Sequence, residues 1–444
     1  MATTAKPSEG VLHSWTDDVA SDEVPDHAFG PVTPPSSSVS FEDLLDRHHL
    51  RPAYQSIFDL ASGEEVAAEA LARWPELSIT PDEAFQSAAA HGRLAELDQA
   101  CRYGAIDGAI ASGLPLGFKL FVNLEPSVLG PDTAAGLVTR AADQVDLMVE
   151  ITERALTRRP AELLRAVETL RAAGCAIALD DVGAEPESLA LLPFIAPDVI
   201  KLDIALVQRW LNVEQAAIYT AVAAYAERSG ATILAEGIET ETDLEQALAL
   251  GATLGQGWYF SRPGPLNVRT PSAQRPWIRQ TPMPTPLSPF SLLDPSAIRT
   301  GSKGLLLGIS RHIENQGLAL ETPPVVLGAF QEARYFTPDT AARYSQLAER
   351  CPLVAALGVN LPQEPVAGVR GAALGADDTL LGEWVVVVVG THYAGALIAK
   401  DLGDTGIDRD RRFSFALTHD HETVLAAARS LIARLIATSS FPDR

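Results

Sequence analysis

From Phe41 onward the chain alternates short apolar runs with longer stretches whose apolar residues recur at helical spacing. Short apolar runs bounded by turn signals read as buried strands, and the longer periodic stretches read as amphipathic helices. Strands are predicted at Tyr54–Leu60, Val66–Trp74, Phe118–Asn123, Leu147–Ile151, Ala176–Asp180, Val199–Leu202, Thr232–Ala235 and Leu254–Phe260. Helices are predicted between them at Pro81–His91, Leu94–Ser112, Pro131–Ala142, Pro160–Ala173, Glu187–Phe194, Val213–Arg228 and Glu241–Leu250. Eight strands alternating with helices over roughly 220 residues favour an α/β fold, a (β/α)₈ TIM-type barrel. A doubly wound open sheet is the alternative, but no Gly-rich phosphate loop supports it. The tight Ser62-Gly63 turn predicts that the first two strands pair antiparallel.

The same pattern divides the chain. Residues 1–40 are polar, rich in Pro, Ser and Asp, and read as a disordered tail. Residues 41–266 form the barrel, and 267–297, containing Thr281-Pro-Met-Pro-Thr-Pro286, read as a semi-rigid Pro-rich linker. A second, smaller α/β domain is predicted over 298–440. Its helices lie near Leu305–Gln316, Thr340–Glu349 and Glu422–Ala437. Its strands lie at Val325–Phe330, Leu353–Leu357, Trp384–Val389, Ala394–Ala399 and Phe413–Leu417.

Composition narrows the function classes. A formal charge of −23 over 444 residues argues against binding a nucleic-acid polymer, which needs Lys/Arg clusters to neutralise phosphates. An acidic protein that handles a phosphate-rich substrate has to recruit cations. Cys101, Cys175 and Cys351 are odd in number and far apart, which fits small buried hydrophobes in a reducing compartment. No basic region followed by an apolar core marks a signal peptide, and the most apolar run, Trp384–Val389, is too short to span a bilayer. The expectation is a cytoplasmic protein with no membrane span.

The candidate chemistry sits at strand ends. Ala176-Ile-Ala-Leu-Asp-Asp-Val-Gly183 ends a buried strand in two adjacent acids, which repel unless protons or cations intervene. Alone, the pair fits a helix cap equally well. But Glu69, Asn123, Glu150, Asp180-Asp181 and Glu236 close successive strands, with Lys201 inside Val199-Ile-Lys-Leu-Asp203 and Gln256 opening the last segment. Five strands ending this way are hard to attribute to capping. At the C-terminal mouth of a barrel they would form an all-oxygen site for Mg²⁺ or Mn²⁺, with two ions plausible for phosphate-ester hydrolysis.

These residues stand in motifs: Glu69-Ala-Leu71 continuing to Arg73-Trp74, Asn123 in Val122-Asn-Leu-Glu-Pro126, Glu150-Ile-Thr-Glu153, Asp180-Asp181, Asp198–Asp203, Ala235-Glu-Gly-Ile-Glu239 and Gly255-Gln-Gly257. Their order resembles the EAL-domain family of cyclic di-GMP phosphodiesterases over about Phe41 to Pro265. The resemblance implies a barrel with one reversed strand and hydrolysis of cyclic di-GMP to pGpG. It further implies one metal held by Glu69, Asn123, Glu150 and Asp180, and a second by Asp180, Asp181 and Glu236. Glu69, Lys201 and Glu236 would be catalytic, with Lys201 positioning water and steadying developing charge. A plain ion-pair role for Lys201 fits as well. Leu71, Arg73, Asp203 and Gln256 would face the substrate, and Glu153 and Glu239 would brace the site.

One segment departs from the family pattern. Asp-Asp-Phe-Gly-Thr-Gly-Tyr-Ser-Ser is replaced by Asp180-Asp-Val-Gly-Ala-Glu-Pro-Glu-Ser188. In the family this loop is tied to dimerisation, so a homodimer is an expected assembly, and to placing the second metal. A weak enzyme, or a non-hydrolysing cyclic di-GMP receptor signalling through partners, is the alternative reading.

The C-terminal domain is similar to the DICT sensory domain, on Ile309-Ser-Arg-His-Ile-Glu314, Ala329-Phe-Gln331, Glu383-Trp-Val-Val386 and Asp408–Phe415. This implies sensory input with an unknown ligand or protein. Gln331, Glu383 and Arg412 would line a pocket, although buried ion pairs explain them as well.

Overall fold

The computed structural model describes residues 39–115, 118–125, 131–141, 144–152, 159–183, 189–190, 192–267, 277, 279–281, 283, 285–320 and 322–435. A short helix α1 (Phe41–Leu45), capped by Ser40, leads into strands β1 (Arg51–Asp59) and β2 (Glu65–Arg73). Helices α2 (Pro81–Ala90) and α3 (Leu94–Ala111) follow, then β3 (Lys119–Asn123), α4 (Pro131–Ala141), β4 (Asp146–Thr152), α5 (Pro160–Ala172), β5 (Ala176–Val182) and α6 (Leu192–Ile195). The unit ends with β6 (Val199–Leu202), α7 (Ile204–Val207), α8 (Val213–Ser229), β7 (Thr232–Ala235), α9 (Glu241–Ala249) and β8 (Leu254–Gly255).

These strands close into a barrel in the order β1 to β8. β1 runs antiparallel to both β2 and β8, and the remaining pairs are parallel. The eight-strand expectation and the reversed strand are therefore observed. The last strand is shorter than the apolar run Leu254–Phe260 suggests: the chain leaves the sheet at Gln256, and Phe260 instead stacks on Phe58. The short helix α7 escaped prediction because four residues carry no periodicity; Asp203 caps it by accepting from Ala205 N at 2.7 Å.

Strand alternation fills the barrel interior. Ile57, Ala67, Phe121, Met148, Ala178, Val199, Leu234 and Leu254 pack together as an apolar plug. Trp277 meets the plug from the linker, edge-on to Phe121 at 6.2 Å. The linker is thus fastened down rather than a free spacer. Arg279 donates to Gly174 O (2.6 Å), Gln280 N to Asp198 Oδ1 (2.6 Å), and Thr285 Oγ1 to Glu168 Oε1 (2.6 Å).

The second unit comprises β9 (Arg299–Ser302), α10 (Lys303–Ala319), β10 (Val325–Glu332), α11 (Pro338–Ala348), β11 (Leu353–Val359), β12 (Arg370–Ala373), β13 (Glu383–Val389), β14 (Ala394–Asp401), β15 (Arg412–Thr418) and α12 (His421–Ile432). Its seven-stranded mixed sheet runs β12-β11-β10-β13-β14-β15-β9. Alternation along β13 sorts its two faces. Val386 and Val388 pack with Leu306, Ile313 and Tyr344 of α10 and α11, while Val385, Val387 and Val389 pack with α12. The far side of α12 rests on barrel helices α5 and α6. Buried Arg429 fixes this contact, donating to Phe194 O (2.7 Å) and Glu168 Oε1 (2.6 Å). Among the described residues no helix is long and apolar enough to cross a membrane.

Candidate functional site

Two residues beyond the plug, every barrel strand turns from apolar to polar at its next inward position. Ala67 is followed by Glu69, Phe121 by Asn123, Met148 by Glu150, Ala178 by Asp180, Val199 by Lys201, Leu234 by Glu236 and Leu254 by Gln256. Reversed β1 obeys the same rule backwards, Ile57 being preceded by Gln55. Period-two alternation at a common height therefore brings eight polar side chains to one mouth.

Lys201 stands at the centre. Its Nζ lies 2.6 Å from Glu150 Oε1, 2.8 Å from Asp180 Oδ1, 2.8 Å from Glu236 Oε1 and 3.5 Å from Glu69 Oε2. Glu69 also accepts from Gln256 Nε2 (2.7 Å) and Asn123 Nδ2 (3.1 Å), and Gln256 extends the chain of bonds to Gln55 Oε1 (3.2 Å). Gln55 carried no strand-end signal, since β1 runs the other way.

Adjacent residues of a strand point to opposite faces, so Asp180 and Asp181 should diverge. A register irregularity between Leu179 and Val182, with Asp181 held at φ +56°, breaks that alternation. Oxygens of Asp180, Asp181 and Glu236 consequently come within 4.8 Å of one another. Gly237, at φ +64°, lets the backbone after Glu236 pass Ile204, where a Cβ would clash.

The electrostatics are unbalanced. Burial opposes the charge on Lys201, but Asp180, Glu150, Glu236 and Glu69 overcome it and raise its pKa well above the usual value. Burial, with Glu69 adding, raises Glu150 well above the carboxylate range. Burial also pushes Glu236 up to about 8, against the pull of Lys201. Asp181 is raised by burial and by Asp180. Glu69 differs: burial pushes it up, yet Lys201, Gln256 and Asn123 together leave it lowered. Five carboxylates thus share one buried ammonium, and the raised members report the surplus negative charge. Oxygen donors without His or Cys suit a hard divalent ion, which fits the residues present.

Leu71, Arg73, Asn123 and Thr152 line a cavity of about 260 Å³ beside this mouth, with Arg73 Nη1 donating to Ala72 O at 2.9 Å. Asp203 is half-buried and engaged as the α7 cap. Glu239 has an exposed side chain, and its backbone amide donates to Asp243 Oδ2 (3.1 Å). Glu153 and residues 184–188 lie outside the described residues. In the C-terminal unit Gln331 lines a second cavity. Glu383 instead binds the linker through Ser288 Oγ and Phe290 N, and Arg412 is exposed, its neighbour Arg411 facing inward.

A family profile described as "EAL domain" matches residues 38–263, and one described as "Sensory domain in DIguanylate Cyclases and Two-component system" matches 290–402. "Cyclic di-GMP phosphodiesterase RocR" of Pseudomonas aeruginosa is 31% identical over 231 residues, 50% of this chain and 59% of that protein. "Probable cyclic di-GMP phosphodiesterase PdeG" of Escherichia coli is 30% identical over 243 residues, 51% of this chain and 48% of that protein. The chain therefore spans less than two thirds of either relative. A solved structure of Klebsiella pneumoniae BlrP1, a manganese and cyclic di-GMP complex, is 31% identical with a TM-score of 0.45, covering 49% of this chain and 56% of that one. The profile match takes in more than half of the chain, which belongs to the EAL domain family, with a DICT-type sensory domain following the barrel.

Proposed function

We propose that the chain is a metal-dependent phosphodiesterase that hydrolyses cyclic di-GMP to pGpG under the control of its C-terminal domain. The supporting observation is the convergence of Glu69, Glu150, Asp180, Asp181 and Glu236 around Lys201 at one barrel mouth. Glu69, Asn123, Glu150 and Asp180 would hold one Mg²⁺ or Mn²⁺ ion, and Asp180, Asp181 and Glu236 a second. Such ions, when bound, neutralise phosphate charge and acidify coordinated water.

The chain's own residues supply the rest. Lys201 holds its carboxylate partners in place and offers N–H donors to charge developing on the phosphate oxygens. Gln256 and Asn123 fix both oxygens of Glu69. Arg73 and Leu71 present the neighbouring cavity to the nucleotide. Arg429 links α12 to α5 and α6, the helices that flank the Asp180-Asp181 strand in the chain, so this contact can carry input from the sensory domain.

The sequence of loop 182–188, with Glu185, Pro186 and Glu187, favours one second reading: a receptor that binds cyclic di-GMP without hydrolysing it. Incubating the purified full chain with cyclic di-GMP and Mn²⁺ separates the two. The proposal expects pGpG, lost on Glu69→Ala; retained dinucleotide binding with no pGpG would establish the receptor. Turnover unchanged in Glu69→Ala would overturn the assigned site.

A further inference from the structure

The C-terminal unit contains a cavity of about 660 Å³, larger than the one beside the barrel mouth, on the sheet face opposite α12. That volume suits a drug-sized ligand. Its floor is aromatic: Phe330, Trp384 and Phe413 line it, with Trp384 and Phe413 edge-to-face at 5.7 Å. Its rim is cationic around Tyr335, whose ring lies 4.1 Å from Lys303 Nζ and 4.9 Å from the Arg334 guanidinium. Arg411 Nη1 donates to the Tyr335 hydroxyl at 2.5 Å.

Of the lining acids Glu314, Asp339 and Asp408, two are ion-paired within the lining, and Arg334 pairs with Glu332 at 2.6 Å. Glu314 is paired with Arg343 (2.9 Å) and Asp408 with Lys303 (2.5 Å). Arg311 lines the same cavity and forms no ion pair within 4.0 Å among the described residues. Arg311 acts on Glu314 only at longer range, and in a chain with a formal charge of −23 an arginine without a close ion pair at the edge of an aromatic cavity runs against the overall composition. Gln331, 8% exposed and at φ +62°, also faces the cavity, where a register irregularity interrupts the β10–β11 pairing. A non-glycine residue held in the left-handed region is a strained conformation of the kind found at ligand clamps.

We propose that this cavity is a binding site for a small planar organic anion, an aromatic or heteroaromatic ring bearing a carboxylate or phosphate. The ring stacks among Phe330, Trp384 and Phe413, and the anionic group meets Arg311. Binding alone is the readout, so the inference stands whether or not the barrel hydrolyses anything.

The test uses the full chain and two fluorescent probes: anilinonaphthalene sulfonate, which is anionic, and its neutral counterpart phenylnaphthylamine. Arg311→Glu should weaken the anionic probe at least tenfold and leave the neutral one within twofold. Leu307→Trp, which fills the cavity from an exposed position, should weaken both. Both substitutions are at solvent-exposed positions of α10, and unchanged unfolding midpoints would confirm that the fold is kept. The proposal is overturned by wild-type protein that fails to bind the anionic probe. It is equally overturned by affinities that neither variant changes, or by Arg311→Glu weakening both probes alike.

Discussion

The barrel buries charge at both ends, and the two ends treat it oppositely. At the floor, Asp198 accepts from Arg171 Nη1 (3.1 and 3.3 Å), Ile177 N (2.7 Å) and Gln280 N (2.6 Å). One acid faces one base, and backbone amides take up the remaining acceptor capacity. At the mouth, five carboxylates face one lysine, and three of the five have raised pKa values. A satisfied buried pair needs nothing more, whereas a surplus of buried carboxylates is stable only with protons or added cations. The floor's charges close among themselves, whereas the mouth carries a surplus of negative charge, and the balance of charge tells the two apart.

The largest expected effect is on turnover. Glu69→Ala should cut hydrolysis by about a thousandfold or more, equivalent to about 4 kcal/mol in the barrier. Its unfolding midpoint in chelator should change little. Asp198→Asn should do the reverse. Removing one partner of a buried pair costs about 3–5 kcal/mol of stability, read by denaturant unfolding, while turnover per folded molecule stays within twofold. A mouth substitution that unfolds the protein, or a floor substitution that abolishes turnover, would erase the contrast.

Next comes pH. At pH 6 the raised Glu236 carboxyl holds a proton that an arriving divalent ion must displace. Apparent Mn²⁺ affinity should therefore climb about tenfold per pH unit as that proton is released, flattening above the Glu236 value of about 8. Calorimetric titration at several pH values checks the slope. Smallest is the interdomain contact. Arg429→Ala removes the bonds to Phe194 O and Glu168 and should cost about 1–3 kcal/mol. Backbone hydrogen exchange should rise in α5 and α6 while metal affinity at the mouth stays within twofold.

Much of this was legible in the sequence because barrel chemistry follows strand ends. Each of Asn123, Glu150, Asp180 and Glu236 terminates an apolar run, so periodicity alone located them. Gln55 was hidden because its strand is reversed and the polar position comes before the apolar one. The convergence of Asp180 with Asp181 depends on a bulge that no local propensity announces. The contacts of Trp277, Gln280 and Arg429 join residues up to 261 positions apart, beyond the reach of any local pattern. The edge strand Arg299–Ser302 is short and polar, so it lacks the alternation that marks longer strands.

The most direct test is Mn²⁺ titration of the metal-free full chain and three variants. Binding should be lost in Asp180→Asn and Glu236→Gln and kept in Asp198→Asn. Binding that survives both mouth substitutions, or disappears with the floor substitution, would contradict the assignment of the mouth as the cation site.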